Sequence, residues 1–109
     1  FSRRFEHRVA GVDANPYLVL AAVLAGVHHG IQNRLDPGES STGNACADLD
    51  GAVPFQWQGA LNASASGEVL KDYLGADYLD LYRQAKQFEH DQFFGRFTPL
   101  EFEWYLNIG

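Results

Sequence analysis

The chain has no methionine, a single cysteine (Cys46), and only eight lysines and arginines against fourteen aspartates and glutamates. Each scarcity excludes something. One cysteine can form neither an intramolecular disulfide nor a thiolate metal cluster, and it fits a reducing, cytoplasmic setting. The formal net charge of −6, with basic residues scattered from Arg3 to Arg96, leaves no cationic stripe to neutralise nucleic-acid phosphates or grip anionic lipid. The longest apolar run, Tyr17 to Val27, is eleven residues, short of the roughly 20 a transmembrane helix needs. The opening Phe1-Ser2-Arg3-Arg4 runs into Glu6 and not into an apolar stretch, so no signal peptide is expected. Without methionine, the 109 residues read as a piece excised from a longer protein.

Material for a core is plentiful: 46% of residues are apolar, including eight Phe, five Tyr and two Trp. At strand period two, Arg4, Glu6 and Arg8 share one face, while Arg3, Phe5, His7 and Val9 share the other. The pattern predicts a strand over about 2–9, packed on one side and facing a polar cleft on the other. Asn15 is then a good N-cap and Pro16 a good first helical residue. A helix follows over about 16–34, apolar nearly all round and so expected to be buried beneath the strand.

From Leu35 to Pro54, proline, glycine, serine and asparagine replace periodicity, predicting a loop of about twenty residues. Phe55 to Leu61 predicts a short helix or turn, and Ser66 to Leu74 a second short helix stopped by Gly75. A long helix over about 76–94 gathers Tyr78, Leu81, Tyr82, Ala85, Phe88 and Gln92 on one side, with Asp80, Arg83, Lys86, Gln87 and His90 mainly elsewhere. Thr98-Pro99-Leu100-Glu101 combines an N-cap, a first-turn proline and an N3 glutamate in a capping box, opening a last helix to about Asn107. The expected fold is α+β and mostly helical, one N-terminal strand plus four or five helices, with terminal helices over about 55–107.

Among candidate sites, the Arg4-Glu6-Arg8 ladder is the sharpest. Two guanidinium groups flanking a carboxylate can serve phosphoryl transfer, the arginines gripping phosphate or carboxylate and the glutamate a divalent cation. From the pattern alone, a solvated strand with local ion pairs is the favoured reading of the same ladder. Other clusters are weaker. His28 and His29 point about 100° apart on a helix and do not converge on one ion. Glu89-His90-Asp91 fails likewise, and neither cluster belongs to a metal motif such as HExxH. Cys46, near Asp48 and Asp50, is expected to be inert, since neighbouring carboxylates disfavour the thiolate. Trp57, Trp104 and the tyrosines read as core or interface anchors.

Taken together, Arg3-Arg4-Phe5-Glu6-His7-Arg8, then Asp13-Ala14-Asn15-Pro16-Tyr17-Leu18, then the alanine-rich helix to Gly30-Ile31 and Asp36-Pro37-Gly38-Glu39, resemble the C-terminal end of the glutamine synthetase family. Gly26-Val27-His28-His29-Gly30-Ile31 and Thr42-Gly43-Asn44-Ala45 resemble the γ-glutamylpolyamine (γ-glutamylputrescine) synthetase branch. Residues 1–109 are then the C-terminal fragment of a catalytic domain. Ala47, standing before Asp48-Leu49 where adenylylated relatives carry a tyrosine, argues against that regulation.

The resemblance implies an ATP-dependent glutamate–amine ligase in the full-length protein, acting through γ-glutamyl phosphate on ammonia or a polyamine such as putrescine. It implies Mg²⁺ or Mn²⁺ as cofactor, with Glu6 a metal ligand, Arg4 a catalytic residue on the transferring phosphoryl group of ATP, and Arg8 a catalytic and substrate-binding residue on a carboxylate. It leaves the role of His7 open between packing and lining the site. It further implies a cytoplasmic homo-oligomeric ring, with interfaces around Trp104 and Tyr105, and an isolated fragment that is inactive. The alternatives are a non-catalytic scaffold or binding module of the same fold and, from another class, an independent helical regulatory domain.

Overall fold

The computed structural model describes residues 4–44 and 53–106. Among the described residues the secondary structure is entirely helical: α1 (Pro16–Gln32), α2 (Trp57–Ser66), α3 (Val69–Leu74), α4 (Ala76–Phe94) and α5 (Pro99–Tyr105).

Local chemistry sets the helix ends. Asn15 Oδ1 accepts hydrogen bonds from the backbone N–H groups of Tyr17 and Leu18 at 3.0 and 3.3 Å, and Pro16 occupies the first turn, where its missing N–H leaves no bond unmade. At the other end Leu35 N–H donates to the Gly30 carbonyl at 3.0 Å and Arg34 N–H to the Ile31 carbonyl at 3.2 Å. That pair is a Schellman closure, with Arg34 in the left-handed position at φ 49°. Gly75, at φ 87°, donates to the Lys71 carbonyl to end α3 and accepts from Leu79 N–H to begin α4. The capping box of α5 is complete: Glu101 N–H donates to Thr98 Oγ1 at 3.3 Å, and Thr98 N–H to Glu101 Oε2 at 2.6 Å.

The helices pack in the order α1, α3, α4, α2, each touching the next, and α5 packs on none of the other described helices. His28 on α1 meets the Tyr73 hydroxyl on α3 through Nδ1. Gln58 on α2 and Gln87 on α4 exchange side-chain hydrogen bonds at 3.3 and 3.2 Å, and Trp57 sets its ring edge-on to His90, 5.6 Å between centroids. The buried apolar residues number only two among those described, Ala25 and Leu61. The accessible surface is 10025 Å², where a compact monomer of 12.1 kDa exposes about 6,000 Å².

Three expectations are corrected here. Residues 4–9 form no strand, because among the described residues no second strand exists to take up their backbone N–H and C=O groups; residues 2 and 3 of the expected strand lie outside the described residues. The α+β class therefore becomes all-helical for the described residues. The helix expected to be buried exposes Tyr17, Leu20, Leu24, Val27 and Ile31, because α3 covers only its other side. On α4 the half-buried face is Leu79, Arg83, Lys86, Gln87 and His90, while Leu81 and Phe88 of the expected apolar stripe are exposed. The loop before α2 and the start of the last helix fall where expected, although residues 45–52 of that loop and Asn107 lie outside the described residues.

Candidate functional site

Residues 4–9 carry no helix, strand or turn. Glu6 and Arg8, two residues apart, nevertheless meet: Arg8 Nε and Nη2 each lie 3.0 Å from Glu6 Oε1. Both side chains are open to solvent, 63% for Glu6 and 80% for Arg8. An ion pair so exposed contributes at most about 1 kcal/mol, so it orients the two groups without anchoring the segment. Arg4 is exposed and has no ion pair among the described residues, which leaves its guanidinium open to an oxyanion. His7 is exposed, so it is not packed within this chain.

The ladder thus offers one carboxylate oxygen not held by Arg8 and one unpaired guanidinium. Among the described residues no group of three or more His, Cys, Asp or Glu side chains converges to hold a metal ion. Magnesium takes about six oxygen ligands, so these residues do not build a divalent-cation site; Glu6 can supply a single carboxylate to one.

The remaining candidates resolve into structural roles. His28 bonds to Tyr73 and, through Nε2, to Gln32, while His29 bonds to Asn33, so the adjacent histidines serve different partners. Glu89 pairs with Lys86 at 2.6 Å, and His90 with Asp91 at 3.1 Å. The hydrogen bond from His90, with a second from Gln87, holds the Asp91 carboxyl below the usual aspartate range. The hydrogen bond to Glu89 lifts the Lys86 ammonium above the ordinary lysine value, with smaller contributions from Tyr82 and Asp13. Cys46, Ala47, Asp48 and Asp50 lie outside the described residues.

Sequence reasoning missed the grouping of Asp13 with Lys86 and Glu89. All three line an open hollow of about 930 Å³ between the start of α1, the start of α2 and the middle of α4. No local pattern joins a turn before α1 to the face of a helix so much later in the chain.

Residues 1–105 match the family described as glutamine synthetase, catalytic domain. The chain belongs to the glutamine synthetase family. It is 39% identical over 105 residues to a gamma-glutamylputrescine synthetase of Escherichia coli, a match that covers 96% of this chain and 22% of that relative. It is 34% identical over 100 residues to a gamma-glutamylethanolamide synthetase of Streptomyces coelicolor, covering 92% of this chain and 22% of the relative. It is 31% identical over 113 residues to a glutamine synthetase of Archaeoglobus fulgidus, covering 96% and 23%. The chain therefore spans about a fifth of the length of these relatives. No solved structure matches the chain. Among the described residues, no helix of this family member is long and apolar enough to cross a membrane.

Proposed function

We propose that this chain is the C-terminal part of an ATP-dependent glutamate–amine ligase, with a polyamine such as putrescine as the amine and ammonia as the rival substrate. The observation that carries the reading is the 39% identity to a γ-glutamylputrescine synthetase over 105 of the 109 residues. In the proposed reaction the γ-carboxylate of glutamate attacks the terminal phosphorus of ATP and ADP leaves. The amine nitrogen then attacks the acyl phosphate carbonyl, and phosphate and a proton depart.

Each ladder residue has a distinct part. Arg4, unpaired and exposed, is suited to the equatorial oxygens of the phosphoryl group in transfer, where a planar guanidinium stabilises accumulating negative charge. Arg8, whose Nε and Nη2 now share one oxygen of Glu6, is suited to a carboxylate of glutamate, which a guanidinium can grip through two parallel hydrogen bonds. Glu6 supplies one carboxylate ligand to Mg²⁺ or Mn²⁺. A divalent cation bound to such ligands draws charge from phosphate oxygens. The nucleotide pocket, the other metal ligands and the ring-forming surfaces belong, in this reading, to sequence beyond these 109 residues, and the isolated chain is inactive. Such a ligase works in the cytoplasm, where ATP is abundant and a lone thiol stays reduced.

The test is a chimera in which residues 1–105 replace the matching segment of the E. coli γ-glutamylputrescine synthetase. With glutamate, Mg·ATP and putrescine it is expected to release ADP, and the 109-residue chain alone is expected to release none. Glu6→Ala lowers the rate by roughly two orders of magnitude or more, while His90→Ala leaves it within about twofold, since His90 serves only the α2–α4 contact. Equal activity of the two variants rejects the site assignment. A chimera that folds and binds ATP yet turns over neither putrescine nor ammonia supports a non-catalytic scaffold instead.

A further inference from the structure

α1 joins two properties that seldom occur together in one helix: it carries no charge and it is largely uncovered. None of its 17 residues is Asp, Glu, Lys or Arg. Tyr17, Leu20, Leu24, Val27 and Ile31 recur at spacings of three and four, so they form one stripe along the helix. α3 packs on the other side, and the stripe stays in water, with Tyr17 82%, Leu24 54% and Ile31 72% exposed. Gly26 and Gly30 lie inside the same helix, where glycine weakens it. A Cβ at either would meet nothing within 4 Å, so no contact in this chain calls for glycine there.

The amount of uncovered surface tells what kind of body fits the stripe. The accessible surface exceeds that of a compact monomer by about 4,000 Å². A standard interface covers about 800 Å² on each partner, so a second copy of this chain would leave most of the excess in water. Charge points the same way. Interfaces between separately folded partners carry a polar rim, whereas a helix without a single Asp, Glu, Lys or Arg is suited to an interior. Length supplies the body: the match to the E. coli relative covers 22% of that protein, so about four fifths of a chain of that kind lies outside the matched segment.

We infer that the stripe from Tyr17 to Ile31 seats on an apolar face of the same polypeptide outside the matched segment, which makes α1 an interior helix of the complete protein and not a contact between subunits. The inference rests on the ligase reading only for the existence of that larger body. α1 is then held from two sides, by α3 and by the body. Its seat also fixes where the Arg4-Glu6-Arg8 ladder can lie, since the ladder ends a few residues before Pro16 and no described helix or strand holds it.

Thiol protection tests this without reference to turnover. Cys46→Ala removes the chain's own thiol, and Leu24→Cys or Ile31→Cys then reports the stripe. In the 109-residue chain both thiols are expected to react with a maleimide within about tenfold of their rate in denaturing urea. In the chimera carrying residues 1–105 the same positions, followed by peptide mass spectrometry, are expected to react at least about 100-fold more slowly than in urea. A Leu24→Cys change that unfolds the chimera while the chain keeps its helix signal also supports a covered stripe. Equal rates in chain and chimera overturn the inference. So does protection that vanishes when the chimera is diluted to single protomers, or protection of the chain alone that grows with its concentration, since both assign the stripe to another copy. An unsubstituted chimera that does not fold overturns it too, because the relative's body then has no seat for the stripe. Protection in a chimera that releases no ADP rejects the ligase activity and leaves the seat standing, so the two fail separately.

Discussion

α1 and α4 each present two unlike faces, and in both, large apolar residues stand on the face turned away from the rest of the chain. On α1, Leu18, Ala22, Ala25 and His29 lie inward, while Tyr17, Leu20, Leu24, Val27 and Ile31, at spacings of three and four, lie outward. On α4 the inward face carries Leu79, Arg83, Lys86, Gln87 and His90, and the outward face Leu81 and Phe88. A soluble helix bundle buries such apolar stripes. The inward contacts combine an apolar cluster of Leu18, Val19, Ala22, Leu70, Leu74 and Leu79 with polar pairs such as the Gln58–Gln87 amide exchange, whereas the large outward stripes contribute little while water covers them. These helices carry hydrophobic patterning well in excess of what the contacts within the chain use.

That contrast can be broken from either side. Leu61, buried at the α2–α4 contact, is the inward residue with most to lose: Leu61→Ala is expected to destabilise the pair by about 2 kcal/mol or more, seen as lost helix signal and a lower midpoint in urea. Leu24→Glu, on the outward stripe of α1, should leave the helix signal of the 109-residue chain unchanged yet cost the chimera its soluble activity, because there the stripe is covered. A Leu24→Glu change that unfolds the chain itself would show that the stripe is already in use.

Thr98→Ala removes one half of the capping box and is expected to cost about 1 kcal/mol. The loss should stay within α5, which no other described helix supports, and amide exchange at Phe102 and Glu103 would reveal it. The smallest effect is electrostatic. The folded-state Lys86 value is raised, so its pairing with Glu89 is fully present below the ordinary lysine value of about 10.4 and is lost as pH rises through the higher folded value. A mild fall in α4 stability is expected in that alkaline window, worth a few tenths of a kcal/mol and absent in Lys86→Met.

The helix boundaries were legible because their causes are local. Asn15-Pro16, Gly75, Gly95 and Thr98-Pro99-Glu101 act through hydrogen bonds and backbone angles within a few residues, and all four mark ends in the structure. What failed depended on partners. A strand needs another strand, and the alternation over residues 4–9 carried no information on whether one was in reach. Burial of α1 and the inward face of α4 were inferred from hydrophobicity, which reports what a face is suited for and not what is there to cover it. For the site, Glu6 and Arg8 do pair, though not as part of a strand, while the approach of Asp13 to Lys86 is tertiary and left no trace in the spacing.

Gly75 belongs to two hydrogen-bond ladders at once, closing α3 with its N–H and opening α4 with its carbonyl. There is no spacer between those helices, so one residue joins the α1–α3 pair to the α4–α2 pair. A side chain at that position would have to accept a φ of 87°, which L-residues resist. Asp13 stands just ahead of one pair and Glu89 within the other, so the hollow they line is walled from both sides of a glycine that does not line it.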